Sequence, residues 1–446
     1  MYAVETAESV REAPSTPPPP MADGWTMRFS RSTGAPYYVH TSGKTQWDVP
    51  VLGEQQPMTP PPPGSPEFHP DAIPEDDVIQ RFPQQVAPRQ SIEEAYRQAA
   101  LISAMAERDA STTIQLRRAC NFVKDGPIRA CLSMICHVMR VSEVAVVDLC
   151  CGRGGDFDKF RRACRDSGGR LAHLVGADVA GGEALVESRR RWTSVAKDSA
   201  PATLRGGVVR ADLANDNTAR MVDDACERER FPDDAMPGPQ KFHMVSCMFA
   251  MHYFFRDEAS FRRLAAGAAY YVKEGGFFAM IHADGEAIAR AHFDRPLHER
   301  ANPALQIGMA TLTLHANTMQ MLNDPSPDVG ERPFGWGYDF YLPEAVNNVT
   351  EFIVHTPTRD RILHEYNFIP VIDENAASVI RSMRRVDFWE DAFLKSDVAC
   401  DGSGSLGRRT MDHLSLYRVS VFVHSPLQLD VHKARDWLRR TLGLDA

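Results

Sequence analysis

The sequence predicts an α/β protein: a large domain on a mostly parallel sheet, preceded by a small three-stranded antiparallel domain and a proline-rich linker. Three observations carry this. Apolar strand-like runs alternate with helical stretches through the C-terminal three quarters, three of those runs end in aspartate, and a Trp- and Tyr-rich segment stands between two proline runs near the N-terminus. Strands alternating with helices require parallel pairing through right-handed crossovers.

With 446 residues, 43% hydrophobic and 24% charged, the chain can bury one large core or two ordinary ones. A formal net charge of -9 argues against broad coating of nucleic acid, so nucleic-acid contact is expected to be focal. The nine cysteines form no CxxC pair and no Cys/His spacing of the zinc type, which predicts a reducing compartment and no metal site. No run approaches the roughly 18 apolar residues of a membrane span, and no signal pattern opens the chain. A cytosolic or nuclear protein without a membrane partner is expected.

Residues 1–20 end in STPPPP and residues 52–90 contain MTPPPPGSPEFHP. Such stretches lack backbone donors and apolar surface, so they are expected to be a tail and a linker. Between them, in 21–51, ADGWTMRFSRSTGAPYYVHTSGKTQWDVP splits into short β-prone runs at SRSTG and TSGK, which predicts a three-stranded meander. This segment resembles a WW domain in its GW opening, its YYVH centre, its TQW and its closing proline. The resemblance implies that Trp25 and Pro50 fasten the sheet while Tyr37 and Trp47 grip a ligand proline in its extended helix. The loop Ser30-Arg31-Ser32 resembles that of the WW domain of phospho-specific prolyl isomerases, which implies that Ser30 and Arg31 hold a phosphate on Ser-Pro or Thr-Pro. A solvated turn arginine is the competing reading.

Residues 91–110, SIEEAYRQAALISAMAERDA, read as a helical lead-in, and 111–446 as the large domain. Its apolar runs VAVVDLC, HLVGADV, GGVVRADL and FHMVSCMF alternate with the helical stretches DKFRRACRDSG and EALVESRRRW. The first run leads into AVVDLCCGRGGDF (145–157), a glycine turn with three competing uses. It is not the GxxxxGK[ST] of a phosphate loop, and Gly152-x-Gly154-Gly155 matches GxGxxG poorly. Adjacent Cys150 and Cys151 cannot easily converge on one metal, and small size explains them. The third use, a methyltransferase cofactor turn, employs more of the chain. Asp148, Asp178 and Asp212 stand at three successive strand ends, where such sheets bind ligands. For any one of them, capping the next helix is the alternative.

The turn DLCCGRGGDFDKF and the later VSCMFAMHYFF resemble those of the messenger RNA cap guanine-N7 methyltransferases, and NFVK, EGGFFAMI, FGWGYDF, TEFIV and SLYRVSVF follow in family order over roughly 110–425. The resemblance implies a class I, Rossmann-like methyltransferase fold with S-adenosylmethionine as cofactor. Carried over residue by residue, it assigns cofactor contacts to Lys124, Asp148, Cys150, Gly152, Asp178, Asp212, Met248 and Tyr253. Cap contacts fall to Asn121, Arg153, Lys159, Arg190 of the run Arg189 to Arg191, His252, Glu351 and Tyr417, with His252, Tyr253 and Glu351 at the reacting centre. HYFF as a core strand end, TEFIV as an edge strand with a surface glutamate, and RRR as a solvated helix face are the competing readings. This sequence departs from the family at Met248, where glutamine is usual, at His243 for aspartate, and at Ala283-Asp284 for an asparagine loop. Cys150 replaces a glycine, a change expected to be tolerated if the backbone there keeps negative φ.

Guanine N7 already carries a nucleophilic lone pair, so the implied chemistry needs positioning and electrostatics rather than a general base. Expected partners are the capped 5′ end of messenger RNA and phospho-Ser/Thr-Pro or proline-rich peptides, such as the C-terminal tail of RNA polymerase II. Other capping enzymes are further candidates, and the nucleus is the expected location. Two rivals remain: a methyltransferase-fold scaffold that recruits partners through the WW segment, and a WW groove closed on the chain's own TPPPP runs.

Overall fold

The computed structural model describes strands at 25–29, 36–40 and 45–46, then residues 113–199, 203–214, 222–223, 241–323, 333–396, 406–424 and 430–445, with single positions 220, 398 and 400. The chain divides into two compact units, Met1–Gln84 and Gln85–Ala446. In the first, β1 (Trp25–Phe29), β2 (Pro36–His40) and β3 (Thr45–Gln46) pair antiparallel in that order, with Trp25 opposite His40 and Tyr38 opposite Gln46. This is the meander that the turn residues predict. Ser30, Arg31, Trp47 and Pro50 lie outside the described residues, as do the proline-rich span and the helical lead-in at 91–110.

The second unit begins with α1 (Ile114–Ser133), which buries Leu116, Ala119, Phe122, Val123, Gly126 and Pro127 at the three- and four-residue spacing of one helix face. Then β4 (Glu143–Leu149), α2 (Phe157–Asp166), β5 (Arg170–Asp178), α3 (Gly182–Asp198) and β6 (Arg205–Arg210) wind one half of a parallel sheet. The other half follows as β7 (Phe242–Met248), a short 3-10 turn at Met251–Arg256, α4 (Glu258–Tyr271) and β8 (Val272–Ala283). Both faces of these strands are covered. Val146, Leu174, Val208, Met244 and Phe277 pack to one side, and Val147, Val175, Val209, Val245 and Phe278 to the other. The two-residue period of a strand and burial of both faces explain why the runs read as continuously apolar.

After α5 (Gly285–Phe293) the chain leaves the sheet. It builds β9 (Ala304–Ile307), β10 (Ala310–Leu314), α6 (Ala316–Asn323), β11 (Gly337–Leu342) and β12 (Val346–Phe352), with the strands in an antiparallel order β12-β11-β10-β9. The sequence reading has no counterpart to this second sheet. The chain returns through α7 (Thr356–Glu365), β13 (Phe368–Asn375), α8 (Ala376–Met383), α9 (Asp387–Leu394), α10 (Arg408–Leu414), β14 (Tyr417–His424) and α11 (Val431–Thr441). The main sheet has the order β13-β14-β8-β7-β4-β5-β6, with β14 antiparallel to both neighbours. Strand order reverses at β4, whose neighbours are β5 and β7, and a crevice therefore opens at the carboxyl ends of β4 and β7.

Phe157, fully buried at the start of α2, props the turn beside that crevice. A Cβ on Gly154 would lie 2.5 Å from its ring, and one on Gly176 2.7 Å, so the two glycines and the ring form one fitted unit. Phe157→Ala is expected to lower the unfolding free energy by about 3–5 kcal/mol, as for a large buried aromatic. Urea denaturation followed by circular dichroism checks this, and a loss under about 1 kcal/mol would show that the turn does not lean on the ring.

Candidate active site

Beyond Leu149 the chain turns through Cys150, Gly152 and Gly154, with φ of 61°, 54° and 70°. The condition on which Cys150 was expected to be tolerated, a negative φ, is not met: a side chain with a Cβ stands in the left-handed region, at a strain of roughly 1–2 kcal/mol. The turn is tied down around it. Cys151 N donates to Ala177 O at 3.1 Å and Gly154 N to Cys151 O at 2.9 Å. A Cβ on Gly152 would meet nothing within 4 Å, so the turn presents bare backbone to open space.

Asp178, at the end of β5, accepts from Gly152 N at 2.7 Å on Oδ2 and from Ala180 N at 2.8 Å on Oδ1. Burial pushes its pKa up against these two donors. Each oxygen keeps one lone pair for a ligand. Asp148, 2% exposed at the end of β4, faces Ser246 across the β4–β7 pair and has an Oδ2 that accepts no hydrogen bond among the described residues. Burial, and next the negative charge of Asp156, push its pKa up to about 8. Asp212 lies two residues past β6, and its Oδ1 accepts from Ala214 N at 3.0 Å in a local turn.

A second cluster joins α1 to the turn. Lys124 Nζ donates to Asp156 Oδ2 at 2.8 Å, and Lys159 Nζ to Asp156 Oδ1 at 2.7 Å, to Gly155 O at 3.0 Å and to Asn121 Oδ1 at 3.1 Å. Burial would raise the Asp156 carboxyl, but the two ammonium groups overcome it and hold the acid well below the carboxylate range. Two lysines against one aspartate leave the cluster net positive.

The third cluster sits where the two sheets meet. Glu351, on β12 and 5% exposed, accepts from Tyr338 Oη at 2.8 Å on Oε2 and from Tyr253 Oη at 3.2 Å on Oε1. Burial, and then the charge of Glu351, push the Tyr338 phenol well up, so it stays a donor. His252 Nε2 lies 3.4 Å from Glu351 Oε1, and its Nδ1 accepts from Ala283 N at 3.4 Å. Its ring centroid is 4.5 Å from that of Tyr253. Tyr417 packs beside Phe249 at 4.7 Å and His413 at 5.6 Å between centroids. Burial drives His413 down to about 4, so this wall is neutral. Although β12 is an edge strand, Glu351 faces inward.

Of the remaining expected residues, Met248 is buried at the end of β7 and Arg153 is half-buried within the turn. Arg190 is 69% exposed and pairs with Glu187 at 2.7 Å. Arg191 takes the same glutamate at 2.7 Å, and its Nη1 lies 3.6 Å from where a Cβ on Gly155 would stand. The arginine turned toward the glycine turn is therefore Arg191, one residue from the expected position. Three residues were not anticipated. Asp156 was visible only as part of GGDF, and Tyr338 only as part of FGWGYDF. Phe249, at φ 61°, extends its ring under Lys124 Nζ at 5.4 Å from the centroid. A bulky residue at positive φ marks strain retained for a local purpose.

A family model described as the mRNA (guanine-N(7))-methyltransferase domain matches residues 83–420, and one for the WW domain matches residues 21–50. The chain is 29% identical over 262 residues to the mRNA cap guanine-N(7) methyltransferase of Drosophila melanogaster, covering 58% of this chain and 54% of that protein. It is 26% identical over 313 residues to mRNA cap guanine-N(7) methyltransferase 1 of Arabidopsis thaliana, covering 68% and 72%. The Saccharomyces cerevisiae mRNA cap guanine-N(7) methyltransferase is 27% identical over 277 residues, with 62% and 56% covered. The chain thus spans about half the length of the fly and yeast relatives.

Asp148 gives the site a pH signature. Its carboxyl rises from an ordinary 3.8 to about 8, so between those values the folded protein holds a proton that the unfolded chain has released. The stability this contributes is complete below 3.8 and is lost as pH rises toward 8. Asp148→Asn keeps a neutral polar group there and escapes the loss. Its unfolding free energy, measured in urea, is expected to gain on that of the unsubstituted protein between about pH 5 and about pH 8; parallel pH profiles would take the proton away from Asp148.

Proposed function

The chain belongs to the mRNA (guanine-N(7))-methyltransferase family, and from that premise we propose that it transfers the methyl group of S-adenosylmethionine to N7 of the guanine cap of messenger RNA. The observation that carries this is Glu351, a buried carboxylate held from both sides by the hydroxyls of Tyr253 and Tyr338. Each of its oxygens retains a lone pair, and the pair of oxygens suits the adjacent N1–H and amino group of guanine. A carboxylate so placed fixes the ring and offsets the positive charge that methylation creates on it. Tyr253 and His252 would pack at the reacting edge and Tyr417 against the ring, which makes the catalysis one of orientation and charge.

The residues of the crevice fit the cofactor. Asp178 has lone pairs for two ribose hydroxyls, Gly152 leaves its backbone bare, and Asp148 has an unpartnered oxygen near Lys124, suited to the ends of an amino acid. When bound, S-adenosylmethionine supplies a methyl group on a sulfonium. Met248, where glutamine is usual, would give soft packing in place of a polar contact. The net positive cluster of Lys124, Lys159 and Asp156, with Asn121, Arg153 and Arg191 around the turn, supports binding of the cap triphosphate; Arg191 serves this reading better than Arg190.

The WW segment would recruit the enzyme to phospho-Ser/Thr-Pro or proline-rich peptides. The polymerase II C-terminal tail fits such a groove where capping occurs, and nuclear location and contact with other capping enzymes follow from the same reading. The intact Glu351 constellation weighs against a scaffold without activity.

Glu351→Ala is expected to lower kcat/KM for methyl transfer to GpppA-capped RNA by about 2–4 kcal/mol of transition-state stabilisation, as for a lost charged partner. Turnover near that of the unsubstituted enzyme would remove Glu351 from the chemistry. For the WW segment, Arg31→Ala is expected to abolish preference for a phospho-Ser-Pro peptide over its plain form, because a doubly charged phosphate gains about 1–3 charge-assisted bonds there. Trp47→Ala is expected to abolish binding of both. Equal affinity of the unsubstituted segment for the two peptides, read by fluorescence anisotropy, would refute the phosphate reading.

A further inference from the structure

At the end of the sheet opposite the glycine turn, the first residues of β4, β5, β6 and β8, with the approach to β7, frame a chamber of about 360 Å³. A strand rises about 3.3 Å per residue, so the seven-residue β4 sets this chamber roughly 20 Å from the crevice. Its walls bring together Arg170, Arg205, Lys241 and Lys273, with His243 among them and, among the described residues, Glu143 as the one acid. Glu143 is taken by Arg170 at 2.6 Å. Among the described residues four cations there face one carboxylate; Lys241 Nζ donates to Tyr270 O, and burial drives the pKa of Lys273 down.

The hydrogen-bond geometry of His243 sharpens this. Ala145 N donates to its Nδ1 at 3.0 Å, so in the neutral ring the proton stands on Nε2. Burial and the neighbouring Lys273 push the ring down to about 4, which keeps it neutral. Nε2 lies 3.0 Å from Lys273 Nζ. A ring N–H and an ammonium, both donors, thus meet at one point. An oxyanion beside them converts that conflict into two charge-assisted hydrogen bonds.

We propose that this chamber is a binding site for a phosphate oxyanion, held by His243 and Lys273 at its floor and by Lys241, Arg170 and Arg205 at its walls. Small charge-dense anions fit better than an organic body, since organic ligands take mostly apolar and aromatic walls. Here, among the described residues, the side chains other than the charged and imidazole groups are only Ala145, Ala172 and Thr203. The inference does not rest on the methyl-transfer reading, because no residue of the crevice enters it. Free phosphates and the phosphates of an RNA backbone share this chemistry.

Isothermal titration of the full chain with inorganic pyrophosphate, and separately with a 5′-hydroxyl RNA pentamer, tests it. The titrations are run on the unsubstituted protein, on Lys273→Gln with Arg205→Gln, on Lys241→Gln, and on Lys159→Gln as a control for anion binding at the glycine turn. Saturable binding in at least one arm is expected, weakened tenfold or more by the chamber substitutions and kept by Lys159→Gln. Pyrophosphate alone binding names a free phosphate as the ligand, and the pentamer alone names the backbone. The exposed Lys241→Gln keeps the test decisive where the double variant melts early. No saturable binding in either arm, or binding lost in Lys159→Gln but unchanged in the chamber variants, or unchanged in every variant, overturns the proposal.

Discussion

Asp156 takes the ammonium groups of Lys124 and Lys159 on its two oxygens, at 2.8 and 2.7 Å, and so ties α1, the glycine turn and α2 to one buried point. Without that carboxylate two lysines would face each other in a region that water scarcely reaches, and the turn would lose its fixed side. Everything else in the crevice is measured from this turn. Gly152 N reaches Asp178 from it, and Lys124 reaches the Phe249 ring from the other side. The electrostatics follow the same logic: the acid that holds two cations stays charged, and the one beside it, Asp148, takes up a proton instead.

A second buried charge anchors the antiparallel edge. Arg359 is fully buried, and its Nη1 reaches Asp373 at 3.0 Å, Ser420 at 2.8 Å and His282 at 2.8 Å. Burial, and then the guanidinium, drive His282 well down, so it accepts as a neutral ring. The network staples β13 and β14 to β8 directly behind Ala283, the residue whose amide meets His252. Removing one member of such a buried set costs about 3–5 kcal/mol, because it strands the partner's charge. The strand end beside His252 and Glu351 is therefore backed by a buried charge network.

The parallel sheet and the strand-end aspartates Asp148 and Asp178 were legible because burial on both faces writes long apolar runs, and the glycine turn because backbone without side chains is written as Gly. The second sheet was not. Its strands are short, and β12 runs through Asn347, Asn348 and Thr350 with a solvent-facing side, so TEFIV alone could not tell a buried glutamate from a surface one. Left-handed φ at Cys150 and Phe249 leaves no trace in residue identity, so residue type alone could not say whether the condition of negative φ at Cys150 is met. The choice between Arg190 and Arg191 turned on about 100° of helix rotation per residue, finer than a motif match resolves. Asp156 and Lys159 stand three residues apart after the glycine turn, but the second lysine partner, Lys124, lies 32 residues away.

The place of β14 between β8 and β13 also sets an order of events for a chain leaving the ribosome. β8 is buried along nearly its whole length and pairs on its far side only with β14, which arrives late: His282 and its neighbour Ser420 are 138 residues apart. Until that segment emerges, a long apolar strand stands at a sheet margin with its peptide groups unmatched, a template for any other extended chain nearby. Synthesis of the intervening residues, at about 5–20 residues per second, spans several seconds or more. In that interval the nascent protein would depend on chaperones, and a transcript truncated before β14 would yield a sticky product rather than a weak enzyme.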